Sequence, residues 1–153
     1  MSHEPQPSAW IGLCLVTESN YPFEWPAVAA VIRNRIDSRR FPSTAGEVVL
    51  QPKQFSAFNP FTPAEPTFAT WERVIYSMSD ARRAQVKDAI PCAAWVLSLP
   101  VWRLPFAPTV CHYYSPVSMI PKWSEPKWAK QAKRLFTPSG IDPKRFVFAD
   151  GVP

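Results

Sequence analysis

The sequence predicts an α+β protein, mainly helical, with a small extended part confined to the last third of the chain. Three observations carry that prediction. Apolar residues recur at helical spacing between Trp10 and Leu99, helix-start signals punctuate that stretch at Thr44 and Ser79, and strand formers cluster only later. Those late clusters are Val110-Cys-His-Tyr-Tyr-Ser115 and Arg145-Phe-Val-Phe148. With 153 residues the chain suits one domain with a real core, and a composition 46% hydrophobic and 14% aromatic excludes disorder. No apolar run approaches the roughly 18 residues of a membrane span, so no stable membrane insertion is expected.

Taken in order, residues 1–9 read as an N-terminal extension and 10–150 as the folded domain. The first eight residues lack a basic segment followed by an apolar core and a small-residue cleavage site, so synthesis in a cytoplasm without export signal is expected. Trp10-Ile-Gly-Leu-Cys-Leu-Val-Thr-Glu18 reads as a largely buried helix, stopped by Asn20 and Pro22. A second helix is expected from about Trp25 to Arg39, with Pro26 in its first turn and Ala27, Ala29 and Ala30 for close packing against the first. Thr44-Ala-Gly-Glu47 has capping-box spacing and predicts a short helix ending before Pro52. Gln54 to Phe58 then enters an irregular segment broken by Pro60, Pro63 and Pro66, the kind of loop that lines a site. Helical spacing returns from Thr67 to Tyr76, and again from Ser79 toward Leu99, where Pro91 is expected to kink or restart the helix. Beyond Pro100 the character changes to short strands.

The net charge of +5 favours polyanionic partners, among them nucleic acid, acidic wall polymers and anionic membrane surfaces, without choosing between them. No groove-reading motif supports nucleic acid, and the basic run Lys127 to Arg134 reads as a solvated face. Three cysteines at no metal-like spacing read as reduced thiols. Two histidines and three dispersed cysteines argue against a zinc enzyme, and Cys111-His112 are neighbours on a strand rather than a thiol-peptidase pair. No metal and no cofactor are implied.

Glu18 is the residue that needs explaining. It is a lone carboxylate where an apolar helix ends, and both burial and the negative end of the helix dipole would raise its pKa. A raised pKa suits a general acid. The structural alternative is a half-buried carboxylate paired with Arg33 or Arg35.

Glu18 also leads an ordered set of segments. It is followed by Ala29-Ala30-Val31-Ile32-Arg33-Asn34-Arg35, Phe41-Pro42-Ser43-Thr44, and Val48-Val49-Leu50-Gln51-Pro52-Lys53-Gln54-Phe55-Ser56-Ala57-Phe58. His112-Tyr113-Tyr114-Ser115-Pro116 and Lys122-Trp123 come later. This set, spanning Trp10 to Phe148, resembles the SleB-type cell-wall hydrolases, the spore-cortex-lytic-enzyme family, which also has many phage members. The resemblance implies a compact lysozyme-like fold and cleavage of peptidoglycan glycan strands between N-acetylmuramic acid and N-acetylglucosamine, with Glu18 at the position of the family's catalytic glutamate. Residues 10–150 would then be the catalytic domain. Bacterial members have a small glycine-containing turn and a second glutamate just after the first, where this chain reads Ser19-Asn20-Tyr21-Pro22-Phe23-Glu24 and is one residue shorter.

Paired-carboxylate hydrolysis needs two acids roughly 5 to 9.5 Å apart. No second acid stands out, because Glu24, Asp37, Glu47 and Glu65 lie in hydrophilic or capping contexts. A lytic transglycosylase needs one acid, which protonates the glycosidic oxygen and then deprotonates the muramoyl 6-hydroxyl, and the resemblance supplies that reaction. Ser19, Gln54 and Ser56 offer hydroxyl and amide groups to the sugar, while Tyr113, Tyr114 and Trp123 offer ring faces. Strand alternation puts one tyrosine on the sugar side, with Tyr113 preferred, and Lys122 could meet anionic peptide stems. Each of these has a bland alternative: loop Gln and Ser satisfy backbone groups, and aromatic residues fill cores. The expectation is a monomeric lytic transglycosylase or muramidase, a phage endolysin or virion-associated lysin that reaches the wall or periplasm by release or injection. Its rivals are a non-catalytic wall-binding or virion structural module of the same fold, and a basic nucleic-acid-binding protein.

Overall fold

The computed structural model describes residues 4–52, 54–118 and 125–153. It divides into two compact units, Met1–Leu99 and Pro100–Pro153, and the boundary falls where the sequence changes character.

In the first unit α1 (Pro7–Glu18) is the hub. Trp10 through Val16 are all buried, so the helix is apolar on every side and must be surrounded. α2 (Trp25–Asp37), α3 (Ala45–Val49), α4 (Phe68–Ser77) and α5 (Asp80–Ser98) all pack on it. Each fully buried aliphatic side chain of this core contributes about 1.5–3 kcal/mol. The helix starts inside the stretch read as an extension, because Pro7 occupies its first turn, where a missing N–H costs nothing. Closest approach is to α5: a Cβ on Gly12 would lie 2.7 Å from Ile90 Cγ1 and 3.1 Å from the Ile90 nitrogen. Gly46 plays the same part on α3, where a Cβ would lie 2.5 Å from Pro66 Cβ.

Local capping sets the other helix starts. Thr44 Oγ1 accepts from Glu47 N–H at 3.3 Å and donates to Glu47 Oε1 at 2.7 Å. Thr67 and Ser79 cap α4 and α5 through the N–H groups of Thr70 and Arg82. Two arginines close helix ends: Arg83 donates to the carbonyls of Ile75, Tyr76 and Met78 at the end of α4. Arg33 donates to those of Val96 and Leu99 at the end of α5. Of the two outcomes expected at Pro91, a restart is not seen: α5 runs through it from Asp80 to Ser98. The lost backbone bond is offset by the buried stripe Val86, Ala89, Ala93 and Val96 that holds the helix on its neighbours.

The second unit contains an antiparallel three-stranded sheet among the described residues, in the order β1 (Val110–Tyr114), β3 (Val147–Asp150), β2 (Arg134–Phe136). Fully buried Phe148 on the central strand gathers Phe106, Tyr113, Phe136 and Phe146 around it. A bulge at Cys111 shifts the pairing between Val110 and His112. The strand expected at 145–148 lies two residues later, because Asp142 forms a turn: its Oδ1 accepts Lys144 N–H at 2.8 Å and its carbonyl accepts Arg145 N–H at 2.9 Å. Arg134 opens β2, a short edge strand, where it is exposed as expected for the basic run and covers Phe136 at 4.4 Å.

Candidate functional site

Glu18 is the last residue of α1 and is half-buried, with no basic residue in the final turn of that helix. Cys14 lies one turn earlier on the same face. Burial pushes the Cys14 thiol well above its ordinary value, Glu18 raises it further, and Arg35 opposes them. Thiol, carboxyl and guanidinium therefore share one environment.

Arg35 reaches that environment from the third turn of α2. It is buried, its guanidinium lies over the rings of Phe41 at 5.0 Å and Phe55 at 5.3 Å, and its Nη1 donates to Gln54 Oε1 at 3.0 Å. A planar cation between two rings, with a fork of donors at its edge, is fixed in direction. Gln54 is thereby oriented with its oxygen on Arg35 and its amide nitrogen left as the donor it can offer outward. The loop follows simple logic. Phe55 and Phe58 are buried anchors, so Gln54 and Ser56 remain at the surface. Arg33, the other arginine considered for Glu18, is committed to the end of α5 and lies 3.5 Å from Asp37.

Two residues differ from the sequence expectation. Glu24 is fully buried rather than in a hydrophilic context. Ser19, expected to offer its hydroxyl to sugar, is buried, and that hydroxyl donates to Glu24 Oε1 at 2.5 Å. The reason is local: Pro22 starts a 3₁₀ turn over Pro22–Glu24 that leads directly into α2 at Trp25, so the turn folds under the end of α1. Prolines at 22 and 26 bracketing one acid were the available signal. Arg35 was considered only as a partner of Glu18, and its link to Gln54 had no local signal.

In the second unit the two tyrosines diverge. Tyr113 is half-buried against Phe146 and Phe148, each at 5.6 Å. Tyr114 is buried edge-on to Trp128, which also meets His112 at 4.9 Å. Burial, and secondarily Glu125, raise the Tyr114 phenol. Lys122 and Trp123 lie outside the described residues. Among the described residues no group of three or more His, Cys, Asp and Glu could hold a metal ion.

A family model described as Cell Wall Hydrolase matches residues 24–137. The chain belongs to the cell wall hydrolase family. The matched stretch of this cell wall hydrolase opens at Glu24, so Glu18 lies ahead of it. Two solved structures share its fold. The catalytic domain of the germination-specific lytic transglycosylase SleB from Bacillus anthracis is 20% identical, with a TM-score of 0.50 over 95% of this chain and 96% of that one. The catalytic domain of the Bacillus cereus SleB protein is 20% identical, with a TM-score of 0.51 over 96% of this chain and 92% of that one. The mainly helical, lysozyme-like fold expected from the sequence is the one observed. No curated protein sequence matches the chain.

Proposed function

We propose that this cell wall hydrolase cuts peptidoglycan glycan strands between N-acetylmuramic acid and N-acetylglucosamine as a lytic transglycosylase, with Glu18 as its single acid and base. The observation that carries this reading is a half-buried carboxyl at the end of a buried helix, in a chain of the cell wall hydrolase family. One structural neighbour, the SleB catalytic domain from Bacillus anthracis, is a lytic transglycosylase, which favours that chemistry over simple hydrolysis.

In the reaction Glu18 gives its proton to the glycosidic oxygen, and the C1–O bond breaks with its electron pair passing to the departing N-acetylglucosamine. The carboxylate then takes the proton of the muramoyl 6-hydroxyl, whose oxygen bonds to C1 and closes a 1,6-anhydro ring. No water is consumed and Glu18 ends protonated, ready for the next cycle. In a muramidase, water would take the place of the 6-hydroxyl. The burial of Glu24 supports the single-acid form, since its Oε1 is occupied by Ser19 and it is closed off from solvent water.

Arg35 holds Gln54 so that its amide donates to an acetamido carbonyl, and exposed Ser56 offers a hydroxyl from the same loop. Tyr113 is kept as a sugar contact in preference to the buried Tyr114. The enzyme acts as a monomer without cofactor, and its charge of +5 suits an acidic wall. Its role as a phage endolysin or virion-associated lysin belongs to the same proposal, and induced expression with and without a holin tests it. Glu18→Gln tests the catalytic assignment. The variant should fold, keep binding purified wall and fail to clear it. Equal clearing by the variant removes Glu18 as the acid, and no clearing by the parent leaves a non-catalytic wall-binding module.

A further inference from the structure

We infer that Glu24 is a positioning residue that fixes Glu18 through Ser19, an inference that rests on the reading of Glu18 as the acid. Ser19 is the residue directly after Glu18, and all three of its polar groups are held. Its Oγ donates to Glu24 Oε1 at 2.5 Å, within the range for a hydroxyl on a carboxylate, and accepts Tyr21 N–H at 3.0 Å. Its carbonyl accepts the Trp25 indole N–H at 3.1 Å, and its own N–H donates to Leu15 O at 3.0 Å. Glu24 is 0% exposed and Ser19 is 4% exposed, so water does not compete for the contact between them.

Helix ends fray because their last carbonyls lack partners, and proton transfer demands a fixed geometry. At Ser19 the chain leaves α1 in an extended conformation, φ −150° and ψ 137°, held at that point by groups that come back from the start of α2. The latch therefore ties the end of α1, where Glu18 sits, to Glu24 and Trp25. A buried carboxyl is costly unless it is hydrogen-bonded, and the Ser19 hydroxyl supplies a bond here. Ser19 thus leaves the set of sugar ligands and joins the machinery that aims the acid.

The test compares Ser19→Ala, Glu24→Ala and Glu24→Gln in the full chain on purified peptidoglycan. Ser19→Ala and Glu24→Ala should lower turnover by on the order of 10- to 100-fold while the half-saturating wall concentration stays within about twofold. Glu24→Gln keeps an acceptor oxygen for Ser19 and should hold turnover within about threefold. Amide exchange from Asn20 to Glu24 should accelerate in Ser19→Ala. Parent-like turnover in Ser19→Ala overturns the inference. So does a raised half-saturating concentration at unchanged turnover, which returns Ser19 to sugar binding, or a Glu24→Gln variant as impaired as Glu24→Ala. If Glu24→Ala does not fold, Ser19→Ala and Glu24→Gln decide. If the parent enzyme shows no turnover, the reading of Glu18 falls, and unchanged amide exchange in Ser19→Ala overturns the latch separately.

Discussion

Gly12→Ala should destabilise the protein, against the sign that helix propensity gives. In an isolated helix the change is worth about 1 kcal/mol of added stability. Here the new Cβ would stand 2.7 Å from Ile90 Cγ1, 3.1 Å from the Ile90 nitrogen and 3.2 Å from its Cα. Backbone atoms cannot rotate away, and Ile90 is β-branched and stiff, so α1 and α5 must move apart. Overpacking of this kind costs about 1–3 kcal/mol, leaving a net loss of about 1 kcal/mol, or about 2–4 °C in Tm for a chain of this size. Urea denaturation followed by far-UV circular dichroism measures it through the midpoint. In an Ile90→Ala background the Cγ1 contact is gone, and the cost of Gly12→Ala should shrink by about 1 kcal/mol. A stabilised Gly12→Ala, or an identical cost in both backgrounds, would refute the packing argument. The contact matters for function because α5 holds the helix whose last residue is Glu18.

Other predictions concern the surroundings of the acid. Arg35→Lys keeps the charge but loses the planar fork between Phe41 and Phe55, at about 0.5–1 kcal/mol per ring plus about 1 kcal/mol for the bond to Gln54. Denaturation should show a loss of about 2 kcal/mol, and wall cleavage should fall with it; an unchanged midpoint contradicts the clamp. The Cys14 thiol, raised first by burial and then by Glu18, should stay protonated in the native protein at pH values where a free thiol ionises, near pH 8.5. Because the folded value is the higher one, the stability linked to this group is intact below that pH and is lost as pH rises above it. Glu18→Gln removes the second cause, so the thiol should ionise at lower pH in that variant, read from the ¹³C shift of labelled cysteine. An unshifted titration would separate Glu18 from Cys14.

Most of the helical unit was legible because its signals are local. Thr44, Thr67 and Ser79 cap the N–H groups three residues on, and the apolar run from Trp10 to Val16 announces a surrounded helix. Features that depend on distant packing were not legible. Pro91 carries a local breaking signal that the stripe from Val86 to Val96 overrides, and β2 is too short and exposed to show alternation. At the site, the position of Glu18 followed from where its helix had to stop. Its surroundings did not: Glu24 is polar in sequence and buried in space, and Arg35 meets Gln54 from another element.

The most direct test of the central claim is mass spectrometry of muropeptides released from purified peptidoglycan, by the parent enzyme and by Glu18→Gln. The account predicts fragments ending in 1,6-anhydromuramic acid from the parent and none from the variant. Reducing N-acetylmuramic acid ends would mean a muramidase rather than a transglycosylase, and anhydro ends released equally by Glu18→Gln would contradict the assignment of Glu18.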